Sequence, residues 1–443
     1  MMRSMFSGVS GLRAHQTRMD VIGNNVANVN TVGFKSGRVT FQEIFSQTLK
    51  GASAPDAATG RGGTNPMQIG LGLGVGAVDT IMTRGSLQRT DNPTDMSIEG
   101  DGFFICKGGS ADTFKFTRAG NFTIDKLGNL VTGSGLNVYG WQKLKTDGSG
   151  DFDTESPIEP INLYSDNYRN KRIIAAKATS LAELSGNLNA SMKADQTTAG
   201  PAPENTFTIP MTVYDKLGNA YKVNVIFNKE VINTTGTAPN ITTTTDWAWR
   251  VSADPALGSS ATADSIISFD SEGSLTTASP KTGTVTFTPI GAGTDSFEVK
   301  LDFSKITMFA SDNSVKPKSV DGYPSGSLVT FSAGADGILT GIYDNGQQQS
   351  LGLMALSGFE NPAGLQKVGD NMYIPTTNSG DYKAVKAGAN GVGTLNPGTL
   401  EMSNVDLSKE FTDMIITQRG FQANSRIITT SDEMLQELVN LKR

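Results

Sequence analysis

The stretch SNVDLSKEFTDMIITQRGFQANSRIITTSDEMLQELVNLKR at residues 403–443 decides how the chain ends. Asp406 is a suitable N-cap, with Ser408 and Glu410 in the first turn that would follow it. A seven-residue apolar period is the seam pattern of a coiled coil, so the stretch predicts a long C-terminal helix. The residues at every seventh position are Leu407, Met414, Phe421, Ile428 and Leu435, and the stripe is widened by Phe411, Ile427, Met434, Leu438 and Leu441.

The first 30 residues carry a matching pattern. A helix pair whose second apolar row is interrupted would be marginal in water, so we expect both helices to order when many copies pack together. An ordinary amphipathic helix packed on its own domain also shows one stripe, and the period alone leaves that alternative open. The N-terminal series is Met5, Leu12, Met19 and Val26, with a partial second row at Met2, Val9, Ile22 and Val29, and interruptions at Gln16, Gly23, Gln418 and Ser425.

Between the two ends the helical period disappears and turn signals replace it. GASAPDAATGRGGTNP at 51–66 predicts a segment of low order, and TTGTAPNITTTTDW at 234–247 predicts an exposed loop. FTIDKLGNLVT at 122–132 predicts a hairpin, the pentapeptide DKLGN recurs at 215–219, and GILTGIYDNGQQQSLGLMAL at 337–356 predicts a further hairpin. Charged residues are few, at 18%, and small polar residues are many, with glycine alone contributing 50, and this composition favours strands, hairpins and loops over long charged helices.

The fold class that follows is mainly β with α-helical termini, in which the helices form a coiled coil and β domains are inserted between them. The region rich in Thr, Ser and Ala is expected to be a separate β domain inserted into another. The predicted parts are an N-terminal helix at 1–30, an extended linker at 31–75, a β domain at 76–170 and 316–402, an inserted outer β domain at 171–315, and a C-terminal helix at 403–443.

The composition argues against several classes of function. Charged residues make up 18% of the chain and the net charge is −6, with no basic stripe, so we expect no nucleic-acid partner. The single histidine, His15, and the single cysteine, Cys106, leave almost nothing for a zinc site or a histidine-based triad. Cys106 lies in the apolar run GFFICK and is predicted to be a buried, inert thiol.

Three motifs that could carry chemistry are better explained without it. Gly72–Ala77 matches half of a dinucleotide fingerprint, but the residues that follow alternate like a strand and do not open a helix. The two DKLGN turns lack the spaced carboxylates of a calcium loop, and their Asp and Asn are expected to bind their own turn backbone. Ser134 in TGSGL is not a nucleophile elbow. We therefore predict no catalytic residue, cofactor, metal or small-molecule substrate.

The N-terminus MMRSMFSGVSGLRAHQTRMD contains no run of seven or more apolar residues, so it is not expected to be a secretory signal. No stretch approaches the roughly 20 apolar residues that a spanning helix needs. These features alone indicate a cytosolic protein, but a chain exported by a dedicated machine needs no cleaved signal.

Several blocks resemble those of flagellar rod and hook proteins. They are SGVSGLRAHQTRMDVIGNNVANVNTVGFKSGR at 7–38, GSLQRTDNPTDMSIEGDGFF at 85–104, FTRAGNFTIDKLGNLV at 116–131, GFENPAGLQKVGDNMY at 358–373, and LEMSNVDLSKEFTDMIITQRGFQANSRIITTSDEMLQELVNLKR at 400–443. They cover about half the chain in the order expected of this axial protein family. The size of the insertion within the family favours a hook subunit over the shorter rod proteins.

The resemblance implies a structural protein and not an enzyme. Copies of the chain would assemble head-to-tail into a curved hollow helical tube, a universal joint between rod and filament, with the seven-residue series as the polymerisation seam. It also implies contacts with the distal rod protein, the hook cap, the hook–filament junction proteins and the export apparatus. The expected location is the flagellar hook or basal body outside the cell, reached without a cleaved signal peptide.

Two other interpretations remain open at this point. A distal rod or other axial protein would share the terminal blocks and differ in the insertion. A secreted β-rich adhesin or carbohydrate-active enzyme would need a pocket with convergent carboxylates or aromatics, against which the aromatic content of 7% and the terminal heptads count. A cytosolic metabolic enzyme has no candidate chemistry.

Overall fold

The computed structural model describes residues 2–441 except 56–59, 109–112, 147–149, 168–169, 195–205, 236–241, 254, 256, 262–264, 278 and 291–292. The predicted exposed loop at 234–247 therefore lies partly outside the described residues, and the prediction is wrong for the rest, because 234–235 and 242–247 lie in strands and Trp247 is buried. The chain divides into unit 1, which comprises Met1–Tyr168, Phe331–Thr340 and Ser350–Arg443, and unit 2, which comprises Arg169–Thr330 and Gly341–Gln349. Most described residues between the terminal helices lie in strands and turns, which confirms the predicted fold class.

The two long helices are α1, Met2–Ala27, and α2, Leu407–Leu441. Asp406 caps α2 as predicted, because its Oδ1 accepts hydrogen bonds from the backbone N–H groups of Ser408 (2.9 Å) and Lys409 (3.3 Å). Neither described helix is long and apolar enough to cross a membrane.

The strands fall into four consecutive groups. The first contains β1 Gly37–Glu43, β2 Ser46–Lys50, β3 Met67–Gly70, β4 Leu73–Thr80 and β5 Leu87–Arg89. The second contains β6 Met96–Glu99, β7 Phe103–Lys107, β8 Phe114–Thr117, β9 Thr123–Ile124, β10 Leu130–Val131, β11 Asn137–Trp141 and β12 Glu159–Pro160. The third contains β13 Ile173–Ile174, β14 Leu181–Asn189, β15 Thr206–Tyr214, β16 Ala220–Thr235, β17 Thr242–Ala253, β18 Leu257–Ala261, β19 Ser265–Phe269, β20 Thr282–Pro289, β21 Phe297–Phe309 and β22 Lys316–Val320. The last contains β23 Gly326–Ala333, β24 Ile338–Tyr343, β25 Gln348–Met354, β26 Leu356–Gly358, β27 Gln366–Gly369, β28 Met372–Ile374, β29 Lys383–Val385, β30 Thr394–Pro397 and β31 Thr399–Glu401.

The segment predicted as an extended linker contains two antiparallel ribbons. β1 pairs with β4 from Gly37↔Thr80 to Glu43↔Leu73, and β2 pairs with β3. The many glycine and polar residues of 31–75 obscure the strand alternation, and the pairing joins residues far apart in sequence. Gly72–Ala77 runs into β4 and opens no helix, so the interpretation that rejected a dinucleotide loop is confirmed.

In unit 1, the strand β7 pairs with both β8 and β11, and its side chains enter a compact core with Phe116, Trp141 and Leu353. Cys106 on β7 is fully buried, as predicted. Burial raises the pKa of its thiol to about 12, so the reactive thiolate is suppressed at neutral pH.

Unit 2 contains a five-stranded sheet, in the order β18-β20-β21-β14-β22, and a four-stranded sheet, in the order β15-β16-β17-β19. Residues of both sheets, including Trp247, Trp249 and Phe303, form one buried core. A Cβ at Gly283 would collide with the Trp249 ring, so this position requires glycine. Edge strands β15 and β22 contain Pro210 and Pro317, which remove donors from exposed edges and so oppose pairing with another chain.

The repeated DKLGN pentapeptides form the same turn in the two units. Oδ1 of Asp125 accepts the N–H groups of Leu127 (2.9 Å) and Asn129 (2.7 Å). In the second copy, Oδ1 of Asp215 accepts the equivalent N–H groups at 2.9 Å. These carboxylates are satisfied by their own turns, which confirms the turn interpretation.

Asp321 connects the segment that enters the unit 2 sandwich with the segment that leaves it. Its carboxylate accepts hydrogen bonds from the N–H of Ser180 (2.8 Å), the hydroxyl of Ser180 (2.6 Å) and the N–H of Leu181 (2.9 Å), and lies 3.1 Å from Nζ of Lys177. Burial alone raises the pKa of Asp321, but the hydrogen bonds outweigh it and lower the pKa to about 2.

We expect Asp321→Asn to destabilise unit 2 by about 1–2 kcal/mol at neutral pH, because hydrogen bonds to a charged acceptor are lost. Urea unfolding followed by Trp247 and Trp249 fluorescence in a Trp141→Phe background measures this, with exposed Asp312→Asn as the control. Because the folded pKa is depressed, the native carboxylate contributes fully above pH 3.8 and its contribution is lost as pH falls toward about 2. A variant as stable as the control at pH 7 would contradict the role given to Asp321.

Candidate assembly interface

The helices α1 and α2 form an antiparallel pair that is joined by polar contacts. Nη2 of Arg18 lies 3.0 Å from Oδ1 of Asp413, and Nδ2 of Asn25 donates to Oε1 of Glu410 at 3.2 Å. Small and polar residues dominate the buried positions, which are Gly8, Gly11, Ala14, Ile22 and Asn25 on α1 and Thr417 and Ser431 on α2. The pair therefore buries little apolar surface between its own two helices.

Glycines allow the two helices to approach closely. A Cβ at Gly420 would lie 2.8 Å from the His15 ring, and one at Gly11 would lie 2.9 Å from the Asn424 side chain. A Cβ at Gly8 would lie 3.4 Å from the backbone oxygen of Asn424. Both helices therefore carry glycine, which has no side chain, along the surface where they meet.

The predicted seam residues flank this contact surface and do not form its centre. Met5, Leu12, Met19 and Val26 are half-buried, as are Met414, Ile428 and Leu435, while Leu407 and Phe421 are each 39% exposed. Further exposed apolar residues of α2 are Phe411, Ile415, Ile416, Ile427, Met434, Leu438, Val439 and Leu441. The helix pair consequently presents an apolar surface to its surroundings, and the role of the nine residues as a polymerisation seam stays a prediction.

The polar surface between the helices was not predicted from the apolar pattern. The residues of this contact also recur every seven positions in the sequence, and most of them are small or polar. The series are Gly8, His15 and Ile22 and Gly11, Arg18 and Asn25 on α1, and Glu410, Thr417, Asn424 and Ser431 on α2. Glycine and polar residues recurring every seven positions can mark a close helix–helix contact, but an apolar search passes over them.

His15 is a packing residue in this contact. Its ring meets the Phe41 ring edge-on with centroids 5.7 Å apart, and its Nδ1 is buried without a hydrogen-bond partner among the described residues. Burial, and then the nearby charge of Arg18, lower the pKa of His15, so its ring is neutral at pH 7.

The ribbon formed by β2 and β3 also exposes apolar side chains. Five apolar side chains in or next to these strands are each more than two-fifths exposed. They are Ile44, Phe45, Leu49, Met67 and Ile69. An isolated two-stranded ribbon is marginally stable in water, so this ribbon needs a surface to pack on.

The bases of the helices are fixed by two asparagine side chains. Asn25 donates from Nδ2 to the Gly37 carbonyl (2.8 Å), and its Oδ1 accepts the Gly37 N–H (2.9 Å). Asn404 accepts the Ser36 N–H at 2.8 Å and donates to the Ile81 carbonyl at 2.9 Å. The end of α1, both ends of the ribbon segment and the start of α2 are thereby held together.

A buried ion cluster lies beside these asparagines. Nζ of Lys35 is 2.6 Å from Oε1 of Glu401, and Nη1 of Arg118 is 3.3 Å from Oε2 of the same carboxylate. Burial lowers the pKa of both Lys35 and Arg118, while the charge of Glu401 opposes that shift. Among the described residues, no group of three or more His, Cys, Asp or Glu is arranged to hold a metal ion.

Comparison with known families places the chain among flagellar proteins. Residues 5–35 match the flagella basal body rod protein model, and 97–170 match the flagellar hook protein FlgE/F/G D1 domain. Residues 187–323 match the flagellar basal body protein FlaE D2 domain, and 396–441 match the flagellar basal body rod FlgEFG protein C-terminal model.

Individual relatives match over the full length. The flagellar hook protein FlgE of Borreliella burgdorferi is 40% identical, with all of both chains covered. The FlgE protein of Salmonella typhimurium is 32% identical, with 99% of this chain and 100% of the relative covered. The flagellar basal-body rod protein FlgG of Bacillus subtilis is 32% identical, with both chains fully covered.

We expect Gly420→Ala to separate the two helices, because the new methyl group would collide with the His15 ring. Alanine favours an isolated helix by about 1 kcal/mol over glycine, so any loss of order must come from the lost contact. Faster hydrogen exchange in both helices would show it. Gly23→Ala is the matched control, because a Cβ there has nothing within 4 Å, and equal exchange in the two variants would contradict the close-contact account.

Proposed function

The chain belongs to the flagellar hook protein family and is a structural subunit of the hook, and we propose that its copies assemble through the terminal helices into a curved hollow tube. The observation that supports this proposal is that different residues of the helix pair lie inside and outside the contact between the two helices. Polar and glycine positions face the other helix of the same chain, while the apolar series Met5–Val26 and Leu407–Leu435 flank that contact. A second copy is the surface that those apolar residues fit.

The assembly is head-to-tail and open, because each copy contributes different surfaces to the neighbours before and after it. The exposed β2–β3 ribbon supports this arrangement, since the described residues of the chain leave its apolar side chains more than two-fifths exposed. Each added copy would bury ribbon and helix surface together, so ordering of the helices and growth of the tube would be coupled.

The tube acts as a universal joint between rod and filament. A rotating curved tube requires contacts between outer domains that slide and re-form, while the inner contacts hold. The prolines at the edge strands of unit 2 support this role, because they oppose permanent strand pairing between neighbouring copies. A structural role of this kind needs no catalytic site, and we propose that the chain is not an enzyme.

The proposed partners are further copies of the chain, the distal rod protein, the hook cap, the hook–filament junction proteins and the flagellar export apparatus. Export without a cleaved signal peptide is part of the proposal. Residues 2–27 form α1, which pairs with α2, so they are part of the folded subunit.

A rod subunit is the second candidate, and the full-length likeness to a rod protein favours it. The shape of the assembled tubes tests the proposal, because the hook tube proposed here is curved. Curved tubes assembled from the purified chain support the hook, and straight tubes would favour the rod.

We expect Phe421→Asp to abolish tube formation while leaving the monomer folded. The side chain is 39% exposed in the single chain, so the charge is tolerated there, but an unpaired carboxylate in a buried contact between copies is costly. Sedimentation and electron microscopy after assembly is induced measure the loss, with Phe421→Leu as the control that keeps an apolar side chain. On α1, Leu12→Asp is the corresponding test variant and Leu12→Met is its control. Normal tubes from either aspartate variant would show that the seam lies elsewhere.

A further inference from the structure

Four separate segments of unit 1 meet at the carboxylate of Glu401. Lys35 follows α1, Thr83 and Gly85 end the ribbon segment, Arg118 follows β8, and Glu401 itself precedes α2. Nζ of Lys35 also donates to the Thr83 carbonyl at 2.8 Å, and the Gly85 N–H donates to Oε1 of Glu401 at 3.1 Å. The cluster therefore joins the end of α1 and the start of α2 to the β domain of unit 1, which would be the inner β domain of the proposed tube.

The three charged side chains are almost fully enclosed. Their exposed fractions are 1% for Lys35, 0% for Glu401 and 3% for Arg118. Two cations share one carboxylate, so the cluster itself carries an excess positive charge, and Nε of Arg118 has no hydrogen-bond partner among the described residues. Desolvation of buried ions of this kind offsets most of their mutual attraction, so stability alone is a poor explanation for the cluster.

The surroundings restrict how the segments can shift. A Cβ at Gly33, where φ is +67°, would lie 2.7 Å from the backbone N of Ala119, and one at Gly85 would collide with the Met402 carbonyl. The Gly33 N–H donates to the Glu401 carbonyl at 2.7 Å. Directed bonds from several segments to one carboxylate, within backbones packed this closely, permit a single relative placement.

We propose that the Lys35–Glu401–Arg118 cluster is a registration device that fixes one orientation of the terminal helix pair relative to the inner β domain. This inference rests on the proposed function for its purpose, because a uniform orientation would give every subunit the same angle between the inner tube and the next layer. Glu401 acts as a positioning residue, since it contacts segments of its own chain and orients the helices through them. An apolar cluster of the same size would hold the segments together without selecting one arrangement.

The test compares orientation with stability in the full-length monomer. Spin labels at Lys126→Cys on the β domain and at Lys409→Cys, in the first turn of α2 that Asp406 caps, report the distance between the two parts by pulsed electron resonance. Cys106 is buried with a raised pKa and stays unlabelled. Two variants are compared with the native chain. Lys35→Met/Arg118→Met/Glu401→Leu replaces the three charged side chains with apolar side chains of similar volume, and Glu401→Gln removes one charge while keeping the shape of the side chain. Arg38→Gln/Asp79→Asn, which removes an exposed ion pair of the same segment, is the control.

We expect a single narrow distance peak for the native chain and the control. The triple variant is expected to lose that single peak while its urea unfolding midpoint does not fall, because removal of the whole cluster leaves no unpaired buried charge. Glu401→Gln is expected to broaden the distance distribution, whether or not the triple variant folds. A native-like peak in Glu401→Gln would overturn the proposal, and so would one in a folded triple variant.

Tube formation by the native chain is scored separately. If the native chain forms no tubes, the proposed function fails while the distance distributions still decide the role of the cluster. If native tubes have one curvature and Glu401→Gln tubes are mixed in curvature, the device serves assembly as proposed. Tubes of native curvature from Glu401→Gln would overturn that role.

Discussion

The contact between α1 and α2 is the constraint on which the assembly account depends. Two helices that meet through glycine, asparagine and a half-buried ion pair can approach closely but gain little from the hydrophobic effect. Their apolar side chains remain outside the contact, available to other copies. A helix pair built in this way is expected to be marginal on its own and to gain stability from further packing against its apolar side chains.

The β domain of unit 1 and the sandwich of unit 2 are stabilised in different ways. In unit 1, buried and directed interactions at Glu401, Asn25 and Asn404 fix the end of α1 and the start of α2 to the β domain. Unit 2 has a large core of its own and edge strands that contain proline, so its fold does not depend on pairing with strands of another chain.

Local signals in the sequence predicted the helices, the Asp406 cap, the buried Cys106 and the DKLGN turns correctly, because each depends on neighbouring residues. The ribbons within 31–75 escaped prediction because their partners are distant in sequence and their strands are rich in glycine and polar residues. The Glu401 cluster was not predicted for the same reason, since Lys35 and Glu401 are separated by most of the chain. The domain boundaries and the seam residues remain predictions, although the structure puts the seam residues beside the intrachain contact.

Hydrogen exchange of residues 2–27 and 407–441, measured in the monomer and again in the assembled polymer, shows whether assembly is what orders the two helices. The thin intrachain contact predicts rapid exchange in both helices of the monomer and strong protection in a tubular polymer, while the core strands of unit 2 exchange slowly in both states. Helices already protected to the same degree in a monomer that never polymerises would contradict the account. They would then be ordinary packed helices, and a binding site elsewhere on the chain would have to explain its function.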